Sequence, residues 1–259
     1  MSSSKIHETA IVHPKANLGE GVEIGPYTLI GENVTIGEKT WIGSSSLIEG
    51  WTTIGRECRI FHGAVIGTPP QDVKYMGEET FCRIGDRNIF REYSTVHRAT
   101  GEGEETRIGN DNFIMATAHI AHNCKIGSGV IVANGTTLAG HVQVEDKAFI
   151  SGLCPIHQFV RIGSLSMIGG GCRVTQDMVP YMMGAGYPLR IVGLNLVGLK
   201  RNGIVDGTQK ILKDAYRILF RSGLNTSQAT MRMEEELPQI PEIQHLLHFI
   251  QSSKRGITK

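Results

Sequence analysis

The stretch Ile108-Gly-Asn-Asp-Asn-Phe-Ile114-Met-Ala-Thr-Ala-His-Ile120-Ala-His-Asn-Cys-Lys-Ile126-Gly-Ser-Gly-Val-Ile-Val132-Ala-Asn-Gly-Thr-Thr-Leu138-Ala-Gly-His-Val-Gln-Val144 carries an aliphatic residue at every sixth position. Outward from it the count continues through Ile150, Ile156, Ile162 and Ile168 to Val174. Towards the start it passes Val96, Phe90 and Ile84, then Ile66, Ile60, Ile54, Ile48, Ile42, Ile36, Ile30, Ile24, Leu18 and Val12 to Ile6; only Asp72, Glu78 and Glu102 break it. A period of six fits neither an amphipathic helix nor a coiled-coil heptad. It is a multiple of two, so it suits short strands joined by corners. Glycine often follows the rung, as at Gly19, Gly37, Gly55, Gly109 and Gly127, where a Cβ would crowd the chain. Hexapeptide repeats of this kind mark a parallel β-helix, in which β-branched rungs point inward and stack coil on coil. The expected fold is mainly β, and an aromatic content of 6% agrees with an aliphatic core.

Charge and cysteine usage set looser bounds. Lys and Arg number 26 against 25 Asp and Glu, a net charge of +1 that does not favour nucleic acid as a partner. The cysteines Cys58, Cys82, Cys124, Cys154 and Cys172 are odd in number and show no CxxC pairing, which reads as reduced thiols in a cytoplasm. No apolar run is long enough to span a membrane, and the start, Met1-Ser2-Ser3-Ser4-Lys5, lacks the apolar stretch of a leader. A cytoplasmic protein with no integral membrane segment is expected.

The ladder is interrupted at about 67–83 and 97–107, two excursions thrown out of the coil; such insertions often serve binding. It dies at Pro180, so the β-helix is assigned to 1–186, and 187–259 to an irregular segment followed by a helical tail. From Thr208 the apolar residues Ile211, Leu212, Ala215, Ile218 and Leu219 take a helical period, with Gly223 as C-cap. A second helix is expected around 227–237. A third starts at Pro241 and carries Ile243, Leu246, Leu247 and Ile250. The tail is expected to pack on the end of the β-helix and close its last coil.

Hexapeptide-repeat proteins, which this chain resembles, coil left-handed with three hexads per turn. On that frame His122 stacks under Gly140 and then Gln158, Asn123 under His141, and Ala121 under Ala139 and then His157. With His119 close by, histidines from three coils converge on one column. A neutral imidazole is the usual general base near neutral pH. Zinc ligation is the competing chemistry.

The ladder, His119-Ile-Ala-His122-Asn-Cys, Leu-Ala-Gly-His141, His157-Gln-Phe, Ile84-Gly-Asp-Arg-Asn-Ile-Phe-Arg-Glu and Gly198-Leu-Lys-Arg201 together resemble the acyl-[acyl-carrier-protein]–UDP-N-acetylglucosamine O-acyltransferases, the first enzymes of lipid A synthesis. The resemblance covers the whole chain. The sister N-acyltransferases carry an N-terminal uridine-binding domain, for which a ladder starting at Ile6 leaves no room. The resemblance implies that His122 is the catalytic base, taking the proton of the sugar 3-hydroxyl as it attacks the thioester of a 3-hydroxyacyl chain on acyl carrier protein. The Gly140 amide would stabilise the oxyanion, and Asn123 stands where the family commonly has an aspartate that orients the imidazole. Gln71, Asp72 and Lys74 would hold the glucosamine ring. His119, His141, His157 and Gln158 would contact the sugar and the acyl-pantetheine arm, and Asn195 and Arg201 the nucleotide end. Gly170 matches a position that acts as an acyl-chain ruler.

No cofactor is implied beyond the phosphopantetheine of the acyl carrier protein, which is co-substrate, and no metal is implied. The family works as homotrimers with sites between subunits. Val197 replaces a glutamate and Asn202 a second arginine that many members carry, which leaves two acceptors open: UDP-N-acetylglucosamine, giving an ester, or its 3-amino analogue, giving an amide. A zinc-dependent lyase of the γ-carbonic-anhydrase kind and a non-catalytic hexapeptide scaffold are the readings from other classes. Lys210, Lys213, Arg217 and Arg221 line one side of the first tail helix, either as a docking stripe for the acidic carrier protein or as a solvated face.

Overall fold

A computed structural model describes residues 4–259; Met1–Ser3, part of the start read above as carrying no leader, lie outside the described residues. The chain winds into a left-handed parallel β-helix. Ile6 pairs with Ile24 and Ile24 with Ile42, so an uninterrupted coil takes three hexads. Three sheets result, of 11, 8 and 8 strands among the described residues, parallel except for the last strand of the first. The first begins at Lys5–Ile6, the second at Ile11–Val12 and the third at Asn17–Leu18. Most strands are two residues long, so each contributes one inward rung and one outward side chain. Ile42, Ile60, Ile114, Ile120 and Ile150 are wholly buried, each worth about 1.5–3 kcal/mol of burial. The lower end is open, and Ile6 is 46% exposed.

The corners explain the glycines. A Cβ on Gly37 would stand 2.5 Å from the carbonyl carbon of Gly55, so glycine after the rung lets neighbouring coils approach. The left-handed backbone lies two residues further on, as at Lys39 (φ 57°) and Glu57 (φ 56°). That conformation costs about 1–2 kcal/mol per non-glycine residue. It is offset by a hydrogen bond to the coil below, Lys39 N–H to the Glu20 carbonyl at 2.9 Å and Glu57 N–H to the Glu38 carbonyl at 2.8 Å.

The excursions run between strands Val65–Thr68 and Phe81–Ile84, and between Thr95–His97 and Glu105–Ile108. Arg59 therefore pairs with Ile89, and Ile89 with Phe113, where other coils pair residues 18 apart. Each interrupted coil is longer by a whole number of hexads, which is why the ladder keeps its count across both gaps.

At the upper end, the hairpin Met182–Ala185 and Arg190–Leu194 extends the first sheet from Met167–Ile168. Bridges Ile156↔Val174, Ile162↔Met178 and Asp177↔Ile257 cover the edges of the other two. These segments, rather than helices, cap the strands. Four helices follow: α1 (Leu196–Arg201), α2 (Asp206–Arg221), α3 (Thr226–Glu236) and α4 (Pro241–Gln251). Strand Arg190–Leu194 and α1 fall in the segment expected to be irregular, while Met182–Ala185 lies in the part assigned to the β-helix. The other helices start within two residues of their expected positions, and Gly223 (φ 76°) directly follows the α2 cap Ser222. α2 packs on strand Arg190–Leu194 and on α3 and α4. α4 is tied to the β-helix by His245, whose Nε2 lies 2.9 Å from Glu145 Oε2 and whose Nδ1 lies 2.7 Å from the Tyr181 hydroxyl. Among the described residues no helix is long and apolar enough to cross a membrane.

Candidate active site

Strand His119–Ile120 of the second sheet runs into the corner Ala121–Cys124, which leads to the third sheet. Ile120 points inward and is wholly buried, so His119 points out, and the turn then presents His122 and Asn123. Asn123 sits in the left-handed corner position (φ 57°), one that Asn tolerates better than most residues. Its counterpart one coil up is His141 (φ 62°), whose N–H bonds the His122 carbonyl at 3.0 Å. The expected stacking of Gly140 and His141 over His122 and Asn123 is thus present.

The tautomer of His122 follows from its neighbours. Asn123 is buried, and its amide is clamped by the Thr100 backbone: Thr100 N–H donates to Oδ1 at 3.0 Å, and Nδ2 donates to the Thr100 carbonyl at 3.1 Å. Oδ1 is therefore the atom facing His122 Nδ1, at 2.9 Å. A carbonyl oxygen only accepts, so Nδ1 carries the proton and Nε2 is left with its lone pair. Nε2 points towards Asp72 Oδ2, 4.0 Å away. A Cβ on Gly140 would stand 2.5 Å from Nε2, so only glycine leaves the ring its place. The Gly140 N–H has no hydrogen-bond partner among the described residues.

Other rings surround His122. His141 meets it edge-on at 5.3 Å between centroids, and Phe159 stacks on His141 at 4.6 Å. His119 Nδ1 lies 2.7 Å from Thr95 Oγ1. Burial, and after it the nearby His122, depress the pKa values of both His119 and His141. His97, not among the expected site residues, packs against His119 at 4.8 Å; burial first, then His119 and His122, push it down to about 4. Its Nδ1 is buried without a partner. The signal was available: His97 directly follows rung Val96, the place in its hexad that His157 holds after Ile156.

The first excursion leans over this corner. Arg98 reaches from the second excursion to the Gly67 carbonyl (2.9 Å) and, with two of its nitrogens, to the Tyr75 hydroxyl. Glu78 Oε1 accepts from Gly101 N–H at 2.9 Å. These contacts deliver Asp72, while Gln71 and Lys74 are exposed beside it. The Lys74 N–H donates to Asp72 Oδ1 at 3.0 Å and holds that carboxyl below its usual range. Neither Arg98 nor Tyr75 was expected to matter.

The remaining expected residues lie elsewhere. His157 and Gln158 are exposed two coils up and make no contact with His122 among the described residues. Asn195 is buried as the α1 cap, accepting from Gly198 N–H and donating to the Leu165 carbonyl, at the corner between the third and first sheets. Arg201 is exposed at the end of α1. Gly170 occupies the corner between the first and second sheets. Within one chain these sites stand at three different corners. Cys124, two residues from His122, is a core thiol pushed up to about 12 by burial. Among the described residues no three His, Cys, Asp or Glu side chains are grouped to hold a metal ion.

The sequence matches the family described as bacterial transferase hexapeptide (six repeats) at residues 3–38, 33–68 and 105–140. Residues 177–258 match the second domain of Udp N-acetylglucosamine O-acyltransferase. An acyl-[acyl-carrier-protein]–UDP-N-acetylglucosamine O-acyltransferase of Thermodesulfovibrio yellowstonii is 55% identical over 257 residues, 99% of this chain and 100% of the relative. One from Myxococcus xanthus is 47% identical over the same shares. The crystal structure of a UDP-N-acetylglucosamine acyltransferase from Bacteroides fragilis superposes with a TM-score of 0.95 at 42% identity, covering 98% of this chain and 99% of that one. With relatives this similar over their whole lengths, the chain is an acyltransferase and belongs to the acyl-[acyl-carrier-protein]–UDP-N-acetylglucosamine O-acyltransferase family.

Proposed function

We propose that the protein transfers a 3-hydroxyacyl chain from acyl carrier protein to the 3-hydroxyl of UDP-N-acetylglucosamine, the first step of lipid A synthesis, with His122 as general base. The observation that carries this is the bare Nε2 of His122, its tautomer set by Asn123 and its place kept open by Gly140. The sugar oxygen attacks the thioester carbon while Nε2 takes its proton. The carbonyl oxygen becomes an oxyanion that the Gly140 N–H is free to bind. Collapse breaks the carbon–sulfur bond, and the phosphopantetheine sulfur leaves with the proton returned by His122. The imidazolium formed in between has Asp72 as its nearest carboxylate, at 4.0 Å. Gln71, Asp72 and Lys74 are assigned to the sugar, and His119, His141, His157 and Gln158 to the sugar and the acyl arm.

Asn123 also favours a second reading. An amide supports imidazolium less than a carboxylate does, and an amine nucleophile needs less help from a base than a hydroxyl. The 3-amino analogue is therefore the alternative acceptor. Asn195 and Arg201 reach a nucleotide at His122 only if a second copy supplies them, which fits a homotrimer with sites between subunits; Gly170 on the third corner would limit the chain there. Mass spectrometry of products tests the reading, with a panel of 3-hydroxyacyl carrier proteins offered both acceptors. An ester on UDP-N-acetylglucosamine is expected. An amide alone selects the second reading, and no acyl product from either acceptor rejects both.

A further inference from the structure

Besides tying α4 to the β-helix, His245 closes a ring of hydrogen bonds at the corner between the third and first sheets. Glu145 Oε2 accepts from the Ser164 N–H at 2.9 Å and from the Ser164 hydroxyl at 3.1 Å. The Ser164 carbonyl accepts from the Tyr181 N–H at 2.8 Å. The Tyr181 hydroxyl faces His245 Nδ1 at 2.7 Å, and His245 Nε2 returns to Glu145 Oε2 at 2.9 Å. Burial opposes a charge on Glu145, but the bonds from His245 and Ser164 hold its carboxyl below the usual range. A carboxylate only accepts, so Nε2 carries a proton, and in the neutral ring Nδ1 accepts from the Tyr181 hydroxyl. Tyr181 is buried, so without His245 its hydroxyl would have little water to replace that bond.

α1 hangs from this ring. Its cap Asn195 donates its N–H to the Tyr181 carbonyl at 2.9 Å. Its side-chain amide donates to the carbonyl of Leu165, the residue after Ser164, at 2.8 Å. Its Oδ1 accepts from the Gly198 N–H and so fixes the first turn of the helix that ends at Arg201. Both anchors of Asn195 therefore belong to residues that the ring holds or adjoins.

We propose that His245 is a positioning residue for the sugar nucleotide, holding Tyr181 and Ser164 in the arrangement that aims Asn195 and Arg201. This rests on the assignment of Asn195 and Arg201 to the nucleotide end. The role is separable from holding α4 in place. That helix buries Ile243, Leu246, Leu247, Phe249 and Ile250, and Arg161 secures its end through the Ser252 hydroxyl at 3.0 Å and by stacking at 4.1 Å on Phe249. A His245 that served stability alone would change the unfolding midpoint and leave nucleotide affinity as it was.

The test measures UDP binding to the whole chain by calorimetry, beside steady-state kinetics. His245→Ala is expected to weaken UDP binding and to raise KM for UDP-N-acetylglucosamine, each about tenfold, with kcat and the KM of the acyl donor within about twofold. His245→Gln, whose amide offers one donor and one acceptor, is expected to bring UDP binding back to within about twofold of wild type. Tyr181→Phe removes only the hydroxyl and should weaken UDP binding in the same direction; it carries the test if His245→Ala does not fold. UDP binding unchanged in either variant, whatever the unfolding midpoint does, would overturn the proposal. So would a loss that His245→Gln does not restore. Arg201→Ala, an exposed change, separates the two readings. If it leaves UDP binding at the wild-type level, the nucleotide-end assignment itself fails and the role of His245 falls with it.

Discussion

A neutral histidine acts as a base only through a ring nitrogen that carries no proton, and at His122 an amide makes that choice. Asn123 turns Oδ1 towards Nδ1 because the Thr100 backbone holds both ends of its side chain. In Asn123→Asp the new carboxylate favours imidazolium. The sign follows: the base is protonated up to a higher pH, so the acid limb of the rate profile moves upward by about one pH unit. An unmoved limb in a pH–rate profile would show that position 123 does not speak to the base. Gly140→Ala should lower kcat by about 100-fold with the fold intact, because its Cβ would displace Nε2, and small misplacements of reacting groups cost that much. His97 gives a stability prediction. The unfolded chain takes up its proton near pH 6.5, while the folded one resists until about 4. Its contribution is complete above about 6.5 and is lost as pH falls towards 4, on the order of 3 kcal/mol in all. Urea unfolding of wild type and His97→Gln at pH 7 and 4.5 should show a shallower decline in the variant.

At the scale of elements, the coils and the excursions obey different rules. Rungs such as Ile120 and Leu138 repeat, so one period announces both the sheets and the column of His122, Gly140 and His141. The excursions are held by single contacts. Arg98 lies in one and Tyr75 in the other, and no spacing links them. α1 is six residues long, too short to display a helical period. His97 was legible in the hexad frame. Its partnership with His119 was not, since the second excursion begins there. Arg98→Ala should free the first excursion, making 69–80 the site of limited proteolysis and raising KM for the sugar nucleotide about tenfold, while circular dichroism stays that of the β-helix. Proteolysis unchanged from wild type would mean that the excursion holds without Arg98.

For the whole molecule, the prism sets the residues proposed for the reaction at different corners. His122 stands at one corner, Gly170 at the second, and Asn195 with Arg201 by the third. Stacking along one chain cannot bring corners together, which is why the periodic frame set His122 under Gly140 but gave no position for Asn195 and Arg201. If neighbouring copies complete each site, coexpressed His122→Ala and Arg201→Ala chains should regain about a quarter of wild-type activity through mixed interfaces with both residues intact. Each homogeneous variant should stay poor in the same assay. No recovery in purified mixed oligomers would place each site within one chain.

The central claim is that His122 takes the proton during acyl transfer. It is tested most directly by the rate of acyl transfer from 3-hydroxyacyl carrier protein to UDP-N-acetylglucosamine, wild type against His122→Ala. A fall of about 10²–10⁴-fold in kcat, with both KM values and the thermal unfolding midpoint little changed, is the result the account predicts. A His122→Ala protein that transfers the chain at close to the wild-type rate would contradict it.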